Sequence, residues 1–170
     1  MKIVSRVLLF VGIVFATQYL FIAAVPKLIF AIAQYRKPQP VNTVINNGKT
    51  DATMRKVVLP NPDFIYSAVF YDVADHDLII SGEYADSTMY SSLAFYGNDV
   101  QPYQVRNNLQ GFKTKYAIRL SSVNRVNRTL RAKSKKGVIL MRVLATNPAQ
   151  IAEAKRLQSL FTVKEVPQND

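Results

Sequence analysis

The chain has 170 residues, with 22 lysines and arginines against 11 acidic residues, and a net charge of +11. Apolar residues make up 49% of it, more than a disordered basic tail contains, so that class of protein is excluded. The absence of cysteine excludes disulfides and thiolate catalysis, and the single histidine excludes any site that needs two. The length allows one modest domain and one additional element.

The first predicted element is a membrane anchor. Val7 to Val25 contains no charged residue, and as a helix it would nearly match the thickness of the bilayer hydrocarbon core. We predict a transmembrane anchor and juxtamembrane helix over residues 1–35. The alternatives are a cleaved signal peptide, which would leave the apolar run from Tyr19 to Val25 without a role, and a buried helix of a soluble protein.

Residues 36–53 are predicted to be a linker, because charged residues and two prolines follow the apolar segment. The charges leave the orientation in the membrane open, since basic residues occur on both sides of the apolar segment: Lys2 and Arg6 precede it, and Lys27, Arg36 and Lys37 follow it.

Residues 54–170 are predicted to form a mainly β domain, a small antiparallel β-sandwich. Six segments are candidate strands, and the first three are rich in aromatic and β-branched residues and separated by short polar breaks, as strands joined by hairpin loops require. In one of them Tyr116, Ile118 and Leu120 alternate with more polar neighbours, which is the period of a half-buried strand. The segments are residues 64–71, 78–84, 88–96, 103–107, 113–120 and 137–144.

One C-terminal helix is predicted over residues 148–161. Asn147 is the expected N-cap, and Pro148 stands at the first helical position, where its missing N–H costs nothing. The spacing of the apolar residues places one face of this helix against the sheet. That face consists of Ile151, Ala154, Leu157, Leu160 and Phe161.

The order of several short motifs resembles the domain-of-unknown-function family numbered 1254. Its proline–aspartate pair, tyrosine–serine pair and turn-opening aspartate correspond to Pro62-Asp63, Tyr66-Ser67 and Asp72. The Tyr90 to Leu93 run, the polar segment Tyr103 to Asn108 and the Gly137 to Arg142 strand are also similar. The resemblance covers roughly residues 55–165.

This resemblance implies a bacterial envelope protein with a β-sandwich-like core, and it implies no reaction. It favours a bacterial inner-membrane location with the C-terminal domain in the periplasm. The chain departs from the family in two respects: it is shorter than the two-domain members, and a retained anchor replaces the secretory signal peptide.

The candidate ligand pocket consists of Asp63, Tyr66, Ser67, Asp72 and Arg142. Tyrosine rings offer stacking surfaces, and the polar groups offer hydrogen bonds to a small ligand or glycan. Strand alternation places Tyr66 and Ala68 on one face of their strand and Ser67 on the other. The alternative is structural: Asp63 and Asp72 fix the two ends of this strand, and Tyr66 packs at the edge of the core.

No catalytic motif is present. His76 lies in Asp75-His76-Asp77, where we predict a solvated hairpin turn, and the sequence contains no G-x-S-x-G, phosphate-binding loop, dinucleotide fingerprint or HExxH. We therefore expect no cofactor and no metal site. A non-enzymatic binding or accessory module is favoured, with a hydrolase acting on an envelope small molecule or glycan as the alternative.

Charge is strongly segregated along the chain. Residues 61–100 contain seven acidic residues and no lysine or arginine, whereas residues 101–142 contain eleven basic residues and no acidic one. The densest part predicts a basic patch, made of Arg125, Arg128, Arg131, Lys133, Lys135 and Lys136.

The basic patch has three alternative interpretations. It is either a solvated loop partly neutralised by the acidic segment, a surface for anionic lipid headgroups, or a surface for an acidic envelope partner. Nucleic acid is not expected, because no binding fold accompanies the cluster. Docking of a partner protein through the C-terminal helix or the acid-rich surface remains a further alternative.

Overall fold

The computed structural model describes residues 2–36, 40–49, 61–110, 114–123 and 129–168. A long helix, α1 (Lys2–Arg36), precedes the β domain, and Pro26 lies inside it without ending it. The window Ile3–Ile32 has a mean hydropathy of 2.3 and is not buried against the rest of the protein. By length and composition α1 can cross a membrane, although a signal sequence meets the same criteria.

The prediction of a mainly β domain with one C-terminal helix is confirmed. Within the described residues it has nine strands and the helix α2 (Pro148–Leu160). The strands are β1 (Val44–Lys49), β2 (Phe64–Asp72), β3 (His76–Glu83), β4 (Ser91–Gly97), β5 (Pro102–Asn107), β6 (Lys115–Ser121), β7 (Thr129–Arg131), β8 (Lys136–Leu144) and β9 (Thr162–Pro167).

The strands form two sheets. The first has five strands in the order β1-β2-β8-β4-β5, and the second has four in the order β7-β6-β3-β9. The strand pairs are antiparallel except for β6 and β7, which run parallel. In the first sheet β8 is central, and it pairs with β2 along nine residues and with β4 along seven.

Three strands lie where no strand was predicted. β1 falls inside the predicted linker, residues 36–53, and pairs with β2. Its sequence, VINNGK, has two apolar residues at its start and then polar ones, so it lacks the pattern of a strand. β7 has only three residues, and β9 has four exposed positions of six, so both lack a strong apolar signal as well.

The core lies between the two sheets and follows the alternation of the strands. On β8, buried and half-buried residues alternate along the strand, as expected for one face on the core and one face outward. Complete burial of one such aliphatic or aromatic side chain contributes about 1.5–3 kcal/mol. The largest fully buried side chains are Tyr71, Phe95, Ile65, Leu78, Ile80, Leu93, Leu120, Ile139, Leu157, Val69, Val73 and Val143.

The helix α2 has the predicted cap and packs on the core with a slightly different face. The side chain of Asn147 accepts a hydrogen bond from the backbone N–H of Gln150 at 3.0 Å, and Pro148 opens the helix. Ala154 and Leu157 are buried as predicted. Leu160, however, is 39% exposed, and the polar Gln158 is buried instead.

Candidate functional site

Tyr66 and Arg142 lie side by side on the face of the five-stranded sheet that points away from the second sheet, and Tyr66 is buried there, as the structural alternative predicted. They are directly opposite each other in the β2–β8 pairing, and Ser92 is opposite Arg142 on β4. The Nε atom of Arg142 donates to the Oγ atom of Ser92 at 3.2 Å. The Tyr66 hydroxyl accepts a hydrogen bond from the backbone N–H of Asn61 at 3.1 Å, so it ties down the chain that leads into β2.

Ser67 points to the opposite face, into the protein. It is fully buried, and its hydroxyl donates to the Oδ1 atom of Asn46 at 2.7 Å and accepts from the Nε2 atom of Gln158 at 3.1 Å. The same amide nitrogen donates to the backbone carbonyls of Tyr66 and Asn47, both at 3.0 Å. These contacts make Ser67 part of a buried network that joins β1, β2 and α2.

Asp63 and Asp72 lie at the two ends of β2. Asp63 is exposed, and its backbone carbonyl accepts from the N–H of Ala145 at 2.7 Å. The carboxylate of Asp72 accepts from the backbone N–H of Ala74 at 3.0 Å and lies 3.3 Å from the Nζ atom of Lys136. Nine residues of a strand separate the ends of β2 by nearly 30 Å, so the two carboxylates do not share a site.

The structure therefore brings together only Tyr66 and Arg142 of the five residues of the candidate pocket. Ser67 lies on the other side of the sheet, and Asp63 and Asp72 are at opposite strand ends. Within the part of the chain that the structure describes, no group of three or more histidine, cysteine, aspartate or glutamate side chains could hold a metal ion. Hydrolysis by Asp63, Tyr66 and Ser67 would require their side chains to face one site, and these three side chains do not.

The Asp75-His76-Asp77 segment differs from the predicted solvated turn. His76 is exposed but already begins β3, and Asp77 is completely buried. The Oδ2 atom of Asp77 lies 2.8 Å from the Nε atom of Arg119 on β6, and Arg119 also donates to the backbone carbonyl of Pro167 at 2.9 Å. This ion pair holds β3, β6 and β9 together, because a buried carboxylate needs a partner.

The basic patch is partly neutralised by the acidic segment. Lys133 forms an ion pair with Asp99, and Lys136 forms one with Asp72. Arg131 and Lys135 have no ion pair with any of the described residues. Arg125 and Arg128 lie outside the described residues.

Hydrogen bonds hold the turn between β7 and β8 against the hairpin turn between β4 and β5. The Ser134 hydroxyl accepts from the backbone N–H of Asn98 at 2.9 Å and donates to the carbonyl of Lys136 at 2.6 Å. The carbonyl of Lys135 accepts from the N–H of Val73 at 2.8 Å. The backbone that carries Lys135 and Lys136 is therefore fixed by two neighbouring turns.

A cleft of about 550 Å³ separates this turn from the C-terminal part of α1, and we call it the lysine cleft. Sequence reasoning did not include Lys27 and Asn98 in any site, although Lys27 is a charged residue inside an otherwise apolar stretch of α1. The lining residues are Lys27, Phe30, Ala31, Asn98, Lys135 and Lys136.

Four tyrosines lie in two buried pairs, and none of them is suited to proton transfer near neutral pH. The rings of Tyr84 and Tyr116 are 4.6 Å apart, and burial raises the pKa of Tyr84 to about 12 and that of Tyr116 further. Burial also raises the pKa values of Tyr71 and Tyr103. The hydroxyl of Tyr71 donates to the backbone carbonyl of Tyr96 at 3.1 Å.

The fold is that of a β-sandwich protein with an N-terminal apolar helix. Two sheets and the helix α2 form the domain, and α1, which precedes them, is long and apolar enough to cross a membrane. The family model described as protein of unknown function DUF1254 matches residues 41–165. The chain therefore belongs to the DUF1254 family, as its motifs predicted. The match begins at Val41, so it includes β1 within the domain.

A solved structure shows the same fold at low sequence identity. The VPA0106 protein from Vibrio parahaemolyticus is 14% identical, with a TM-score of 0.64 over 83% of this chain and 34% of that one. An uncharacterised protein from Burkholderia cenocepacia is 15% identical, with a TM-score of 0.48 over 91% of this chain and 43% of that one. This chain thus spans about a third of the length of the Vibrio protein. No curated protein matches it.

Proposed function

We propose that this chain is a membrane-anchored protein of the bacterial cell envelope. Its β domain lies on the periplasmic side of the inner membrane and serves as a non-enzymatic binding or accessory module. The module works next to the membrane and presents a basic face to it.

The apolar surface of α1 supports the membrane anchor. A soluble helix normally buries its apolar face, whereas the apolar window of α1 is exposed around its circumference. Thirty residues of helix measure about 45 Å, longer than the hydrocarbon core of about 30 Å. The apolar region of a signal peptide has about 7–15 residues, so the length of α1 favours an anchor that is retained.

The observation that carries the basic-face proposal is the lysine cleft. Lys27 follows the stretch of α1 that would fill the bilayer, and Lys135 and Lys136 of the β domain line the same cleft. The basic turn of the domain is therefore next to the end of the membrane-spanning stretch. Basic residues at that height are attracted to anionic lipid headgroups.

The positions of the polar residues favour binding over hydrolysis. Ser67 is fully buried and satisfied by Asn46 and Gln158, so its hydroxyl is not available as a nucleophile at the surface. Tyr66, opposite Arg142 on the outer sheet face, is only 7% exposed and its hydroxyl accepts from the backbone N–H of Asn61, so it offers no nucleophile at the surface either.

Membrane topology tests this proposal. A periplasm-active reporter enzyme fused after Asp170 should be active, and the same fusion should remain in the membrane fraction after a high-salt wash. A matched reporter active only in the cytoplasm should be inactive at the same position. A released, shortened chain in the soluble fraction would refute the anchor, and activity of the cytoplasmic reporter would refute the periplasmic location.

A further inference from the structure

We propose that the lysine cleft binds the phosphate of an anionic phospholipid headgroup. This inference rests on the proposed function in one respect, namely that α1 stays in the membrane. It adds a defined site and a ligand class to the general attraction between a basic face and the bilayer.

The height of the cleft follows from the length of α1. About 20 residues cross the hydrocarbon core, so a span that begins after Arg6 ends close to Pro26. Lys27 then lies at the level of the headgroups, and Phe30 and Ala31 lie one turn further along the helix. The cleft therefore lies in the layer where lipid phosphates are found.

The charges around the cleft suit one anion. Among the described residues neither Lys27 nor Lys135 has an ion pair, so both ammonium groups are available. Lys136 pairs with Asp72 at 3.3 Å, and Asp99, the neighbour of Asn98 in the chain, pairs with Lys133, so both carboxylates are neutralised. A phosphodiester carries one negative charge and several acceptor oxygens, and ammonium groups provide the donors it needs.

The apolar wall of the cleft favours a lipid over free phosphate. Phe30 and Ala31 line the side that α1 contributes, and Phe30 is half-buried there. An inorganic anion would leave this wall without a partner, whereas the glycerol and first acyl carbons of a phospholipid would cover it. Asn98 adds an amide that can donate to a headgroup hydroxyl or to the phosphate.

The β-domain side of the cleft is built to keep its shape. Ser134 ties the hairpin turn that carries Asn98 to the turn that carries Lys135 and Lys136. The ion pair between Lys133 and Asp99 joins the same two turns. A site with a fixed backbone loses less entropy on binding, so few lysines are enough to select a headgroup.

The test compares two variants of the full-length protein in lipid nanodiscs. The cleft variant carries Lys27→Gln, Lys135→Gln and Lys136→Gln. The control variant carries Lys49→Gln, Lys155→Gln and Lys164→Gln at exposed positions, so both lose three positive charges. Nanodiscs contain phosphatidylcholine with a minor fraction of phosphatidylglycerol, and native mass spectrometry counts the phosphatidylglycerol retained by each protein.

The wild type and the control variant should retain phosphatidylglycerol equally. The cleft variant should lose about fivefold in preference for each lysine, which is on the order of a hundredfold for the three together. Equal loss in both variants would show attraction by net charge alone, and no loss in either would show that the cleft does not bind this lipid; each overturns the proposal. Displacement of the lipid by millimolar inorganic phosphate would also overturn it, because the site would then be one for a soluble anion.

Two controls separate this inference from the proposed function. Near-ultraviolet circular dichroism should be identical in all three proteins, since none of the substituted side chains is buried. The intact mass of the protein isolated from membranes reports whether α1 is retained. If α1 is retained and lipid selection is absent, the inference is wrong while the anchor stands; if α1 is removed, the proposed function itself is wrong.

Discussion

The buried amide of Gln158 joins three parts of the domain, and its replacement should destabilise the fold well beyond the effect of an ordinary helix substitution. Its Nε2 atom lies 3.0 Å from the carbonyls of Asn47 and Tyr66 and 3.1 Å from the hydroxyl of Ser67. An amide nitrogen has two hydrogens, so one of them is shared between two of these acceptors.

The expected cost follows from these contacts. Each buried hydrogen bond contributes about 0.5–1.5 kcal/mol net, so Gln158→Met, which keeps the volume and removes both donors, should lower the free energy of unfolding by about 2 kcal/mol. Gln158→Ala also removes buried side-chain volume and should cost about 3 kcal/mol. Gln158→Glu should be at least as damaging, because a carboxylate has no hydrogen for acceptors already placed around it.

Urea unfolding of the protein in detergent micelles measures these differences. Near-ultraviolet circular dichroism of the tyrosines reports on the β domain, and the midpoint and slope of the transition give the free energy. Lys155→Ala, an exposed change on the same helix, should lie within about 0.5 kcal/mol of the wild type. If Gln158→Met is also within that range, the network does not stabilise the fold, and the structural role assigned to Ser67 is refuted.

Two further predictions concern buried groups of the second sheet. Arg119→Met should cost about 3–5 kcal/mol, because it removes the partner of the buried Asp77 carboxylate, and the double variant with Asp77→Asn should recover part of that loss in the same unfolding assay. Equal stability of the single and double variants would contradict the pairing. Burial raises the pKa of Tyr84 to about 12, so the folded chain keeps a phenol proton that the unfolded chain loses near pH 10. This stabilisation is complete below pH 10 and is lost as the pH rises towards 12, so Tyr84→Phe should show a smaller loss of stability between pH 10 and 12 than the wild type and the half-exposed control Tyr90→Phe.

The strands that were predicted correctly are those whose own residues show the composition typical of a strand. β2 and β3 are runs of aromatic and β-branched residues, and their predicted bounds were close to the observed ones. β1 has no such run, and it becomes a strand because β2 offers it an edge to pair with. Pairing of this kind depends on tertiary contacts that a local pattern does not contain.

The same limit applies to individual side chains. The alternation of β2 correctly placed Tyr66 and Ser67 on opposite faces, and that geometry already argued against one pocket holding both. The sequence predicts a solvated turn at Asp77 because this residue lies between two predicted strands, whereas its partner Arg119 is 42 residues away and is brought close by the register of β3 and β6. To predict the lysine cleft, one would have to know where α1 lies relative to the β7–β8 turn, and no sequence pattern specifies that position.

The central position of β8 has a consequence for how the domain acquires its structure. β8 is the eighth of the nine strands in the described residues, yet the first sheet cannot join β2 to β4 until β8 lies between them. The second sheet has the same dependence, because β3 pairs with β9, which ends at Pro167. The contacts of Gln158 likewise reach back 111 residues to Asn47.

Folding that depends on such distant pairings is slow, and the apolar faces of the early strands stay exposed to solvent until their partner strands pair with them. A chain threaded through a membrane in the N-to-C direction would deliver β2, β3 and β4 well before their partners. An N-terminal tether would keep each waiting chain at a separate point of the bilayer, where encounters with other unfolded copies are restricted. If α1 stays in the membrane as proposed, it would also protect the chain until the two sheets have closed.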